Sequence, residues 1–331
     1  MSHRCLAVVF TVIGVVALTP MFAAAQSAEL PRTPWGAPDL QGVWDFRTLT
    51  PLERPEALAD KAFLSEEEAA AFEQEILYAR DADRRDGAEI PAGIGSDVER
   101  AYNQFWWDYG TNITEDRRTS LIVDPPDGRI PWTPEQQESM AELFAQYFSR
   151  VPEGPEDRGL SERCILGFIS GPPMLPSAYN NNVQLFQTPD YVVILNEMVH
   201  SARIVPLADQ SSLAAGVRQW GGDSRGRWED GTLVVETTHF LGTTSFVGSS
   251  EHLRLVERLT RVDADTLLYE FTVEDPKTWT RPWTAAVPMQ KTDGPIFEYA
   301  CHEGNYGMTN LLAGARAEER AAAQAATQGS R

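Results

Sequence analysis

Between Leu267 and Val273 the chain alternates strictly. Leu267, Tyr269, Phe271 and Val273 fall on one side of an extended backbone, and Leu268, Glu270 and Thr272 on the other. Successive strand side chains point to opposite faces, so this period of two predicts a half-buried strand with Glu270 in water. The same reading from Asn182 onward predicts strands at Val183–Thr188, Tyr191–His200, Arg203–Leu207, Val217–Asp223, Thr232–Phe240, His252–Val262, Thr266–Val273, Thr284–Gln290 and Ile296–His302. Turn-forming strings separate them: Thr188-Pro-Asp190, Glu229-Asp-Gly231, Asp263-Ala-Asp265 and Thr292-Asp-Gly-Pro295. Short strands joined this tightly predict a mainly β fold, an antiparallel meander. Closure into a lipocalin-like barrel removes two long exposed edges and is the expected architecture, with a sandwich as the alternative.

The first half of the chain has a different rhythm. A short strand-like piece, Leu40–Asp45, precedes a helix that opens with Ser65 as N-cap and an acidic first turn, Glu66 to Glu68. Ala69, Phe72, Ile76 and Leu77 recur at helical spacing, and the helix is expected to run to about Arg85. An aromatic decapeptide, Ala101–Gly110, follows, then a strand over Arg117–Asp124 closed by the turn string Pro125-Pro-Asp-Gly-Arg129. Pro134 starts a second helix, where its missing N–H costs nothing. Residues 151–177 carry many Pro and Gly and read as a long ordered loop. The expected organisation is a leader over 1–25, N-terminal helices, loops and short strands packed on the barrel over 26–180, the barrel over 181–312, and a helical tail over 313–331.

The leader changes the picture of compartment. Arg4, an apolar run from Cys5 to Pro20 and the Ala23-Ala-Ala25 end have the pattern of a secretory signal peptide, so a periplasmic or secreted product beginning near Gln26 is expected. The apolar run is shorter than a bilayer span requires, and no membrane span is expected after processing. The formal net charge of −20 repels phosphate backbones and anionic lipid headgroups, which argues against nucleic acid and against a peripheral membrane role. Two of the three cysteines lie beyond the leader, Cys164 and Cys301, and in an oxidising compartment a disulfide between them is expected. A metal site built on Cys301-His302-Glu303 is the alternative.

Strand alternation also marks candidate chemistry. On the strand around Leu255 the leucine face, Leu253, Leu255 and Leu259, carries Glu257 in its middle. A carboxylate among leucines must be paired or protonated, so Glu257 reads either as half of an ion pair with an inward Arg or as a general acid or base. His200 and His302 fall at the polar ends of expected strands, where a pocket mouth would place them. No G-x-G-x-x-G follows a strand, and neither G-x-x-x-x-G-K-[ST] nor H-E-x-x-H occurs, so no cofactor is implied. The polar, glycine-dense string Trp220–Trp228 reads as a turn, or as a loop lining a pocket.

Four strings resemble a large family of uncharacterised secreted bacterial proteins. They are Gly222-Asp-Ser-Arg-Gly-Arg-Trp-Glu-Asp-Gly-Thr-Leu-Val-Val-Glu-Thr-Thr238, Arg117-Arg-Thr-Ser-Leu-Ile-Val-Asp-Pro-Pro-Asp-Gly-Arg129, Val256-Glu-Arg258 with Arg261-Val-Asp263, and Tyr299-Ala-Cys-His-Glu-Gly-Asn-Tyr306. The resemblance covers roughly residues 38–316 and includes Glu197-Met-Val-His200 and Cys301-His302-Glu303. It implies the domain limits and brings no activity with it. The expected function is cofactor-free acid–base chemistry of the lyase, isomerase, cyclase or hydrolase type on a small, partly apolar or aromatic molecule held in the barrel. His200, His302, Glu303 and Glu257 are the candidate catalytic residues. Trp106, Trp107, Tyr109 and Trp220 would form the walls, and Arg117, Arg118 or Arg261 would stabilise developing negative charge. A non-catalytic periplasmic carrier using the same cavity is the alternative.

Overall fold

A computed structural model describes residues 30–84, 103–149, 151–167, 171–207, 212–214, 216–242 and 246–329. The expected leader, residues 1–25, lies outside them. Among the described residues ten strands form one sheet: β1 (Gly42–Asp45), β2 (Ile122–Asp124), β3 (Asn182–Gln187), β4 (Tyr191–Asn196), β5 (Ala202–Pro206), β6 (Asp223–Glu229), β7 (Thr232–Thr238), β8 (Arg254–Arg261), β9 (Thr266–Glu274) and β10 (Trp283–Thr292). Every pairing is antiparallel, in the order β5-β4-β3-β1-β10-β9-β8-β7-β6. β10 pairs with β9 on one side. On the other it pairs with β1 near Gln290–Thr292 and with β2 near Thr284–Ala285. The short strands of the first half are thus sewn into the middle of the sheet. Among the described residues no ladder joins β5 to β6, and the sheet is open along that seam.

The alternation read from the sequence decides the core. Leu255, Glu257 and Leu259 of β8 and Leu267, Tyr269, Phe271 and Val273 of β9 are all buried, while their neighbours are partly exposed. All but Glu257 join Trp44, Phe240, Trp279 and Trp283 in one cluster drawing on β1 to β5 and β7 to β10. Trp283 meets Trp279 edge-on at 5.7 Å and Phe271 at the same separation, the edge-to-face geometry that ring quadrupoles favour. This cluster packs the inward face of the sheet, the face expected to hold a ligand.

Among the described residues three α-helices accompany the sheet: α1 (Glu66–Arg80), α2 (Pro134–Ser149) and α3 (Tyr306–Gly329). The tail helix expected from Ala313 begins at Tyr306, and Ala315 is its one buried residue among those described. No helix among the described residues is long and apolar enough to cross a membrane.

Three expected strands differ. β4 stops at Asn196, and Met198–His200 forms a 3-10 turn in which Val199 and His200 take positive φ, 56° and 41°. Val217–Asp223 is not a strand. Gly222 takes φ +69° and would press a Cβ to 2.7 Å from Thr237, so the chain turns there and β6 begins one residue later. Ile296–His302 makes no ladder, because both sides of β10 are already taken. Residues 293–305 instead form an extended strap leading to α3.

Candidate functional site

A groove of about 1150 Å³ lies on the outer side of the sheet, between α1 and β9–β10. Its first wall is α1. The Ser65 hydroxyl accepts from the Glu68 amide at 3.3 Å, and the Glu68 carboxylate accepts from the Ser65 amide at 2.9 Å. This reciprocal cap fixes where the helix starts. Lys61 pairs with the same carboxylate. Its hydrogen bond, followed by that of the Ser65 amide, holds Glu68 at about 2, well below its ordinary 4.5. One face of α1 packs Ala69, Phe72 and Ile76 with Leu49, Leu64 and Ile113 in a small second core. Ala70, Leu77 and Arg80 line the groove.

The second wall is the loop after Asn103. Gln104 is clamped to the end of α1, since its side-chain oxygen accepts from the Ala82 amide at 2.9 Å and its own amide donates to Asp83 at 3.1 Å. The Trp107 and Tyr109 rings then lie parallel, 5.6 Å apart and inclined by 5°. Arg80 sits 4.8 Å from the Tyr109 ring centre, a cation–π contact. Burial raises the Tyr109 phenol above its ordinary pKa, with Arg80 opposing. Thr266, Leu268, Pro288 and Gln290, outward-facing on β9 and β10, form the floor.

Two groups of the groove's charges are paired within it, and Glu66, Glu73, Arg80 and Glu115 take no part in them. Arg47 binds Asp45, and Asp108 at 2.5 Å; the Asp45 hydrogen bond raises the guanidinium pKa further, against the desolvation that lowers it. Arg118 pairs with Asp116 at 2.7 Å. Arg117, at φ +58°, donates to the Leu64 carbonyl at 3.2 Å.

Trp107, Tyr109, Arg117 and Arg118 line this one groove, outside the sheet. The other candidates fall elsewhere. Trp106 is 59% exposed and packs edge-on against Phe105 at 5.3 Å, outside the groove lining. Trp220 lies 5.9 Å from the Arg163 guanidinium, also apart from it. Arg261 donates to the carbonyls of Asp39, Asp263 and Ala264 and caps the Trp44 ring at 5.3 Å. It holds turns together from within the fold.

Glu257 is fully buried and accepts from Arg203 at 2.6 and 2.8 Å and from the Tyr269 hydroxyl at 2.8 Å. Tyr269 in turn accepts from the Met174 amide at 3.0 Å. Burial, then the Glu257 charge, push the Tyr269 phenol well above its ordinary pKa. For Arg203 desolvation pulls downward, and the facing carboxylate outweighs it. The inward Arg expected as a partner is thus present, on β5.

His200 is exposed, and its Nδ1 donates to the Tyr299 carbonyl at 3.1 Å. His302 is exposed on the strap, so neither histidine sits on a strand end. Glu303 lines a second cavity of about 560 Å³ with Arg158, Glu162 and Cys301, a cavity that neither histidine lines. Cys164 and Cys301 are joined in a disulfide, so Cys301 is not available to a metal.

Two features of the site escaped the sequence reading. Glu197 is 2% exposed and accepts from the Asn182 side chain at 2.7 Å and from the Phe297 amide at 3.0 Å, tying the strap to the sheet. Gly222-Asp-Ser-Arg-Gly226 has the G-x-S-x-G spacing of a nucleophile elbow. Here it enters strand β6, and the buried Ser224 hydroxyl is spent on Thr237 at 2.9 Å, so it lacks the exposed turn that elbow needs. No protein-family model, no curated protein and no solved structure matches the chain.

Proposed function

We propose that this chain binds a small, partly apolar or aromatic molecule in the outer groove, as an exported binding or carrier protein. The parallel Trp107–Tyr109 pair carries the reading. It sets two flat aromatic rings on the wall of a groove in which Arg47 and Arg118 are each paired with a carboxylate. Such a surface offers stacking and hydrogen bonds, and it favours flat or partly apolar ligands. A lipocalin-like description of the sheet agrees with its curl. Arg203 of β5 reaches Glu257 of β8 through the interior, and a Cβ on Gly226 of β6 would stand 2.9 Å from Val205 of β5. The packed interior supports a ligand held outside the sheet, in the groove. Export is supported by the N-terminal apolar run and by the disulfide.

Acid–base catalysis needs His200, His302, Glu303 and Glu257 around one ligand. Their positions on a turn, on the strap and in the sealed core favour binding without turnover. The test is a thermal-shift screen of small aromatic and partly apolar compounds, followed by titration of any hit. Removing one stacked ring with Trp107→Ala should weaken a hit about tenfold, ~1.4 kcal/mol, while Trp220→Ala leaves it unchanged. A hit indifferent to Trp107 sinks the groove as the site. Conversion of a hit to product, lost in His200→Ala, restores the enzyme.

A further inference from the structure

We infer that the Cys164–Cys301 disulfide is a redox latch that controls the groove through the strap. The inference rests on the groove being the binding site. Residues 293–305 carry no strand pairing, and what holds them is a short series of single contacts. The Phe297 amide bonds Glu197, the Tyr299 carbonyl accepts from His200, and the Asn305 side chain donates to the Glu162 carbonyl at 3.2 Å. The disulfide is the one covalent anchor among them.

From the strap a line of rings runs to the groove. Tyr299 stacks on Tyr179 at 6.4 Å and 11°, Tyr179 leans on Trp107 at 6.2 Å, and Trp107 lies parallel to Tyr109. Backbone contacts follow the same route. The Asp108 amide donates to Ala178 at 2.7 Å, and the Asn181 side chain donates to the Asp108 carbonyl at 2.9 Å. The loop that carries the two groove rings is therefore braced by the segment on which the strap lies. A tether keeps Tyr299 at a high effective concentration over Tyr179; without it, the stack must persist on its own contacts.

The latch is open to attack on one side. Cys164 is 7% exposed, whereas Cys301 is half-buried and borders the second cavity. A dithiol reductant can enter there, its thiolate attacking the Cys301 sulfur and expelling the Cys164 thiolate. The reductant's second thiol then displaces Cys301. Two electrons and two protons pass to the protein, giving two thiols, and the reductant leaves as a cyclic disulfide.

Hydrogen exchange on the full chain tests this without any ligand, so it stands or falls separately from the binding screen. Adding dithiothreitol should speed exchange at least tenfold in three segments, 293–305, 177–181 and 104–110, while β7 to β10 stay protected. Tyr299→Ala in the oxidised protein should reproduce the change at 177–181 and 104–110 with the disulfide intact. Faster exchange confined to the strap, none at all, or a rise throughout the sheet would each overturn the latch. The Cys164→Ser, Cys301→Ser double variant should match the reduced protein and ignore the reductant.

Discussion

Glu257 accepts three hydrogen bonds where no solvent reaches it, two from Arg203 and one from Tyr269. Two charges brought out of water cost several kcal/mol each, and only close, fully bonded geometry returns that cost. Cutting the pair on one side is therefore worse than never having built it. Glu257→Gln keeps the shape and strands the Arg203 charge, so a loss of about 3–5 kcal/mol in urea unfolding is expected. Replacing both partners by Leu and Met should recover most of that loss; a double variant as unstable as the single one would refute an isolated pair. The leucine face made the need for a partner plain from the sequence. It did not name Arg203, because pairing across an interior depends on how far the sheet curls. His200 was misplaced for a more local reason. A β-branched residue, Val199, takes a left-handed backbone just before it, a conformation that sequence propensities rule against.

At the scale of elements, β3, β4, β8 and β9 follow from alternation and turn strings, because each has one wetter face and one dry one, whereas β7 buries Thr232 to Val235 in a row and is marked by its turn strings. The strap has the same alternation and forms no strand. Its amide at Phe297 bonds the side chain of Glu197 instead. α1 was readable down to its cap, and the cap gives it a pH response. Glu68 sits below its ordinary 4.5, so its contribution is complete above that pH and fades as pH falls toward about 2. The protection of the Ser65 amide relative to its intrinsic exchange rate should fall as pH drops across that window, which an NMR titration resolves. Glu68→Gln should flatten the response; a persistent step would assign it to another carboxylate. Loosening here matters beyond the helix, because α1 is a wall of the groove.

Over the whole molecule the disulfide spans a sequence separation of 137, enclosing every strand from β3 to β10. Closing so long a loop removes denatured-chain entropy worth about 5 kcal/mol in the chain-entropy model. The native state returns part of this. Once the bond is cut the strap also gains freedom in the folded protein, so the net loss should fall short of that figure. The formal charge of −20 adds self-repulsion that favours expansion, and salt screens it. Both thiols should be silent to a thiol reagent in the native, unreduced protein and appear as a pair after reduction. The Cys164→Ser, Cys301→Ser variant should then unfold at lower urea in dilute salt, with part of the difference removed by added salt. Its near-ultraviolet circular dichroism at zero urea should keep the signal of Trp44, Trp279 and Trp283, since the core that holds them lies beyond the strap's contacts. Loss of that signal would mean that the disulfide holds the sheet itself together, and the strap would then be a structural seam with no part in controlling the groove.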